Sequence, residues 1–199
     1  IFALNEDMGP DEDRLCEFLL KHEGKRILIF GFTFVIWNHF IKYFRERGIL
    51  LDFSRAILVH GGGWKALLEE AVSPAVFKES LLECFNISEV HDYYGMIEQT
   101  GSIYMECEEG YLHASNFSDI VIRDHVDFSE ARVGEEGIIQ VLSVIPKSYP
   151  GHSILTEDVG VLIGIDDCRC GRRGKFFKVT GRVENAEIRG CSDTYAASD

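Results

Sequence analysis

The chain has 199 residues, enough for one large domain or two small ones at roughly 150 residues per domain, and its 46% apolar content is enough to bury a core. A net charge of -13 and a pI near 4.9 argue against nucleic acid and anionic membrane as partners, because both require a basic face. Six cysteines at irregular positions, Cys16, Cys84, Cys107, Cys168, Cys170 and Cys191, do not form a small disulfide scaffold, and they point to a reducing cytoplasm.

No stretch reaches the about 17 to 25 apolar residues of a bilayer span. The start, Ile1-Phe2-Ala3-Leu4-Asn5-Glu6-Asp7, has no basic segment of a secretory signal. A soluble chain is expected. Because it opens on isoleucine inside an apolar phrase, it reads as a fragment whose upstream half is absent.

From 11 to 22, Leu15, Phe18 and Leu19 recur at helical spacing, with Asp11 or Asp13 near the start and Gly24 past the end. Ile27-Leu28-Ile29-Phe30-Gly31-Phe32 is a continuous apolar run and predicts a strand covered on both faces. A helix follows over 34–47, where Val35, Ile36, Phe40, Ile41 and Phe44 keep the period and Gly48 ends it. Ala56-Ile57-Leu58-Val59 is a second strand, helices are expected over 65–71 and 74–85, and 90–94 is a third strand. Such alternation is the pattern of a parallel sheet with crossover helices, with ligands at the carboxyl ends of the strands. Phe30, Phe32, Phe34 and Trp37 are read as packed core rather than as an acyl pocket.

Beyond Thr100 the strand-like runs are short: 103–106, 111–114, 120–123, 138–142, 159–165 and 176–179, with turns at Gly134-Glu135-Glu136-Gly137 and Pro150-Gly151. They predict an antiparallel, barrel-like or curled β region. The expected organisation is an α/β subdomain over 1–107 and a β-rich subdomain with a mobile terminal arm over 108–199.

Four phrases carry chemistry. In Tyr93-Tyr94-Gly95-Met96-Ile97-Glu98-Gln99-Thr100, a ring can stack on adenine, Glu98 offers a hard oxygen to Mg2+, and Gln99 or Thr100 can reach a phosphate oxygen. The plain alternative is a strand ending in a turn. His60-Gly61-Gly62-Gly63-Trp64 suits a backbone platform for a base or phosphate, or simply a glycine-rich turn into a helix. A hydrolase oxyanion loop is excluded, since Gly151-His152-Ser153-Ile154-Leu155 lacks the closing glycine of a nucleophile elbow and no histidine follows Ser153. Asp158, in Thr156-Glu157-Asp158-Val159-Gly160, can accept from two ribose hydroxyls, and Arg182, after Gly181, can place a guanidinium near ribose or phosphate.

In this order the phrases resemble the adenylate-forming ligase superfamily and, in wording, its LuxE-type acyl-protein synthetases. The likeness covers nearly the whole chain and includes Cys168 to Lys175 and the ending Arg189-Gly190-Cys191-Ser192-Asp193-Thr194. It implies the C-terminal part of the large domain of such an enzyme, using ATP and Mg2+ to activate a fatty acid as an acyl-adenylate. Gly61, Gly62, Gly63, Tyr94, Gly95, Glu98, Gln99, Thr100, Asp158 and Arg182 would bind the nucleotide. Glu98, Arg182 and Cys191 would be catalytic, Cys191 taking the acyl group and passing it to an acyl reductase. Ile97 departs from the Thr or Ser that many of these enzymes carry before the glutamate, and their Ser/Thr/Gly-rich phosphate loop and separate lid domain are not among these residues. The alternatives are a phenylacetate-CoA ligase-type enzyme with coenzyme A as acceptor, and a nucleotide-binding or structural fragment without catalysis.

Cys107-Glu108-Glu109-Gly110-Tyr111-Leu112-His113 and Cys168-Arg169-Cys170 offer two ligand pairs on turns between strands, enough for tetrahedral Zn2+. A lone Cys-x-Cys is otherwise read as unligated. Related phenylacetate-CoA ligase-like enzymes look similar here and some carry zinc, which would be structural.

Overall fold

The computed structural model describes residues 1–64 and 70–183. Most of the helix expected over 65–71 lies outside these residues, as does Cys191. By contacts the chain separates into two units, Ile1–His91 and Asp92–Asp199. The division falls before the expected boundary at Glu108 because the strands on either side of that position pair with each other.

In the first unit, β1 (Ile27–Phe32) and β2 (Ala56–Gly61) pair in parallel, and the first residues of β3 (Glu89–Tyr94) continue the order β1-β2-β3. Helix α1 (Glu12–Lys21) starts where the Asp11 side chain accepts from the Arg14 N–H at 3.2 Å. The second expected helix is one run of three parts: α2 (Thr33–Val35), a π-helical stretch Ile36–Ile41 and α3 (Lys42–Arg47). Its wider middle turn lets the neighbours Ile36-Trp37 and Phe40-Ile41 all face inward. Gly48, at φ 64°, ends it in the left-handed conformation that glycine adopts without strain. Helix α4 (Pro74–Phe85) opens on the Ser73 cap and Pro74.

The core of this unit is aromatic. Phe85 is fully buried, with ring centroids 4.7 Å from Phe40, 5.6 Å from Phe44 and 6.3 Å from Phe53. One expectation fails: β1 is covered on one face only. Its residues alternate, and Leu28, Phe30 and Phe32 are exposed while Ile27 and Ile29 pack against the core. Thus only Trp37, of the four aromatics read as core, is buried there.

The second unit is antiparallel. After β3 come β4 (Tyr104–Glu106), β5 (Leu112–His113), β6 (Ser118–Arg123), β7 (Glu136–Ser143), β8 (Ser153–Ile165) and β9 (Lys175–Arg182), in the order β3-β4-β5-β9-β8-β7-β6. Of the two forms expected, a barrel or a curled sheet, the sheet does not close as a barrel, since β6 ends the strand order. The sheet is nonetheless curled. Tyr104 on β4 donates to the Asp119 carbonyl on β6 at 3.0 Å, although five strand steps in a flat sheet would separate them by about 24 Å. Inside the curl lie Tyr104, Leu112, Ile120, Ile122, Ile139, Val141, Leu162 and Phe177.

Replacing Phe85 by alanine should lower the unfolding free energy of the first unit by about 3–5 kcal/mol, the range for a buried aromatic. Denaturant unfolding measures it, and a loss under about 0.5 kcal/mol, as at a surface site, would contradict the aromatic core.

Candidate functional site

The second unit brings together three residues singled out in the sequence. Tyr94 ends β3, and its hydroxyl donates to Asp158 Oδ2 at 2.7 Å. Asp158 and Arg182 are cross-strand partners on β8 and β9, with Arg182 Nε 3.4 Å from Asp158 Oδ1. Arg182 also pairs with Glu157 Oε2 at 2.8 Å, a partner that the sequence did not point to. A carboxylate has about four lone-pair sites, so Asp158 retains acceptor capacity beyond these two contacts.

Strand β8 starts earlier than expected, at Ser153, and Asp158 stands inside it rather than before it. Pairing with β7 extends it in spite of the weak strand propensity of Glu157 and Asp158. The β8–β9 register shifts between Val159 and Gly160. Thr156 Oγ1 donates to the Ile139 carbonyl at 2.8 Å and accepts from the Asp158 N–H at 3.1 Å, which fixes the backbone that aims Asp158. Gly160 is required by space: a Cβ there would lie 2.5 Å from the Lys178 carbonyl oxygen and 2.8 Å from Ile139. The Thr-x-Asp-x-Gly phrase is therefore a hydroxyl-braced bulge with close backbone contact.

Tyr94 is half-buried, its ring edge-on to Phe177 and tilted against Tyr104. Burial first, then the Asp158 charge, raise its pKa well above the usual tyrosine value. The phenol thus stays a donor at neutral pH. A raised folded-state pKa means that its contribution to stability is fully present below about pH 10 and is lost as pH rises through the folded value.

The turn after Tyr94 divides its residues. Glu98 is exposed on the short 3₁₀ turn Ile97–Gln99. Gln99 points inward: it is 1% exposed and donates to the Gly151 carbonyl at 2.9 Å, so it braces the turn and does not offer its amide to a ligand. The Thr100 hydroxyl donates to the Ile97 carbonyl at 2.8 Å. Gly95 lies close to the Ser102 carbonyl, 3.3 Å from where a Cβ would stand.

In the first unit, the Thr33 hydroxyl donates to the Gly61 carbonyl at 3.2 Å and meets His60 Nδ1 at 2.9 Å. His60 is buried against Phe77. Gly62 has φ 79°, while Gly63 has open space around it. The corner is anchored at Gly61 and leaves the backbone of Gly62 and Gly63 exposed.

A second cluster joins Cys107, His113, Cys168 and Cys170, whose ligand atoms all lie within 4.8 Å of one another. Cys107 Sγ is 3.9 Å from Cys168 Sγ, and Cys170 Sγ is 3.4 Å from His113 Nε2. His113 Nδ1 is buried with no hydrogen-bond partner. Burial and then Arg172 lower the His113 pKa, which favours the neutral imidazole. Burial pushes the Cys168 thiol up to about 11. It acts the same way on Cys170, but the Arg172 N–H and the neighbouring thiols hold that group below its ordinary value.

A family model described as acyl-protein synthetase, LuxE, matches residues 12–198. The chain belongs to this family. It is 23% identical over 199 residues to the long-chain-fatty-acid–luciferin-component ligase of Vibrio harveyi, covering 96% of this chain and 50% of that protein. The Aliivibrio fischeri protein of the same name is 24% identical over 179 residues, covering 88% of this chain and 46% of that one. The chain thus spans about half the length of the curated relatives it matches. Among solved structures, an open conformation of 2-hydroxyisobutyryl-CoA ligase in complex with 2-HIB-AMP and CoA superposes with a TM-score of 0.67 at 18% identity, over 89% of this chain and 40% of that one. The LuxE-family chain therefore has a fold of the adenylate-forming ligases. No helix among the described residues is long and apolar enough to cross a membrane.

Substituting Gly160 by alanine should cost about 1–3 kcal/mol, as overpacking does, because the contact is with backbone that cannot rotate away. Urea unfolding tests this, and an unchanged midpoint would contradict the close approach of β8 and β9.

Proposed function

We propose that the protein carrying this chain activates a fatty carboxylate with ATP. A carboxylate oxygen attacks the α-phosphorus, the bond to the bridging oxygen breaks, and pyrophosphate leaves with its electron pair, giving an acyl-adenylate. What supports this reading is the group Tyr94–Asp158–Arg182, joined by one hydrogen bond and one ion pair, in a chain of the LuxE family. The relatives are named as long-chain-fatty-acid ligases.

In this reading Asp158 accepts from the ribose hydroxyls with its remaining lone pairs. Arg182 orients Asp158 and contributes positive charge where negative charge develops on the phosphate. The Tyr94 ring flanks adenine and Gly95 lets the base come close to the backbone. The exposed Glu98 carboxylate fits a hard cation such as the Mg2+ that accompanies ATP. The exposed backbone at Gly62 and Gly63, anchored at Gly61, provides a platform for base or phosphate, and Thr100 stands at the end of the turn.

The acceptor is Cys191. Its thiolate attacks the acyl carbonyl, the bond between the carbonyl carbon and the phosphate oxygen breaks, and AMP leaves, forming a thioester that a partner acyl reductase consumes.

Asp158→Ala should slow ATP–pyrophosphate exchange by the parent enzyme at least about tenfold, the effect of losing a charge-assisted contact of about 1.5–3 kcal/mol. Wild-type exchange would remove Asp158 from the nucleotide site. With ATP, Mg2+ and labelled tetradecanoate, a hydroxylamine-sensitive label should form on the protein and vanish in Cys191→Ser. Label that survives this substitution, or that appears only on added coenzyme A, would replace the acyl-protein reading with that of a coenzyme A ligase.

A further inference from the structure

We infer that Cys107, His113, Cys168 and Cys170 bind one structural Zn2+ that clips the β4–β5 turn to the β8–β9 turn. This site is separate from Tyr94, Asp158 and Arg182, and it does not depend on the reading of the reaction.

Two of the ligand–ligand distances match the edges of a coordination tetrahedron, and all four ligand atoms lie within 4.8 Å of one another. With zinc–sulfur bonds of about 2.3 Å and a zinc–nitrogen bond of about 2.0–2.1 Å, tetrahedral angles put two sulfurs about 3.8 Å apart and a sulfur and a nitrogen about 3.6 Å apart. The protein has 3.9 Å between Cys107 Sγ and Cys168 Sγ, and 3.4 Å between Cys170 Sγ and His113 Nε2. Thiols merely sharing a core have no reason to meet an imidazole at this spacing. A disulfide would draw one sulfur pair to about 2.05 Å and leave the other two ligands without purpose.

The two turns have the same build. Gly110 donates its N–H to the Cys107 carbonyl at 2.9 Å with φ 75°, and Gly171 donates to the Cys168 carbonyl at 3.0 Å with φ 81°. Each begins on a ligand cysteine, and glycine supplies the left-handed residue that closes the turn. The Arg172 N–H then donates to Cys170 Sγ at 3.4 Å, a contact that stabilises sulfur carrying negative charge. The His113 ring is oriented by stacking on Phe176, at 5.5 Å and 19°, and Tyr111 and Ile163 pack on the same cluster. Three of the four ligands are buried and Cys170 is partly so, and three soft thiolates with one imidazole are a donor set that selects zinc over magnesium or calcium.

The location gives the metal a task. Strand β5 has only Leu112 and His113, and these two residues make all of its pairs to β4 and to β9. It is the shortest link in the β3-β4-β5-β9-β8 path, and the four ligands bracket it. Outside the cluster, Arg172 and Glu108 pair across the same two turns at 3.4 Å.

The test uses the parent protein purified without chelator. Elemental analysis should give about one zinc per chain, and exchange with Co2+ should give the ligand-field and sulfur charge-transfer absorption of a tetrahedral thiolate site. Cys168→Ser with Cys170→Ser should lower the zinc content at least about tenfold, whereas Cys16→Ser, at an exposed position elsewhere, should leave it unchanged. The cobalt spectrum is read on the unaltered protein, so it decides the matter even if the double variant does not fold. Folded protein without zinc and with no tetrahedral cobalt spectrum would overturn the site, as would iron in its place or a Cys107–Cys168 disulfide found by peptide mass.

Discussion

The hydrogen bond from Tyr94 to Asp158 is the constraint on which the second unit turns. Its partners stand on β3 and β8, four steps apart in the strand order. In a flat sheet those strands would be roughly 19 Å apart. A contact of 2.7 Å therefore requires the sheet to curl until its distant strands face each other. The buried ring of Phe177 and the side chain of Tyr104 fill the space between, so apolar burial produces the curl and the phenol–carboxylate bond fixes its extent. Because the acceptor is a carboxylate, that bond is among the stronger kinds.

Two devices hold Asp158 at that point. On its own strand, Thr156 ties down the backbone, and Gly160 lets β8 shift register without meeting β9. On the neighbouring strand, Arg182 divides its guanidinium between Glu157 and Asp158. A carboxylate oriented in this way keeps a fixed direction for its remaining lone pairs, because the ordering has already been done by the sheet. The Glu98 turn is supported from below in the same manner, by the buried amide of Gln99. Thr156 and Gln99 thus both brace this surface by donating to main-chain carbonyls.

Much of this was legible locally. Asp11 and Gly48 mark helix ends by rules that involve only neighbours in sequence, and the structure places them as a cap and a stop. The strand, helix, strand order of the first unit follows from periodicity alone. What could not be read depended on distant residues. The apolar run of β1 suggested burial on both faces, but whether a second face is covered depends on what packs there, and Leu28, Phe30 and Phe32 are exposed. Gln99 looked like a ligand donor by its chemistry. Its direction was set by the Gly151 carbonyl, more than fifty positions away in sequence. The two cysteine-bearing turns could be matched by their ligand chemistry, and the pairing of β5 with β9 is what brings them together.

The central claim is that the curled sheet presents Tyr94 and Asp158 to a nucleotide, and hydrogen exchange with a non-hydrolysable acyl-adenylate analogue tests it most directly. Comparing the parent protein with and without the analogue, the backbone amides around Thr156–Gly160 and those following Tyr94 should gain protection, with the β6–β7 hairpin unchanged. Saturating analogue that leaves both segments at their unliganded exchange rates would contradict the site.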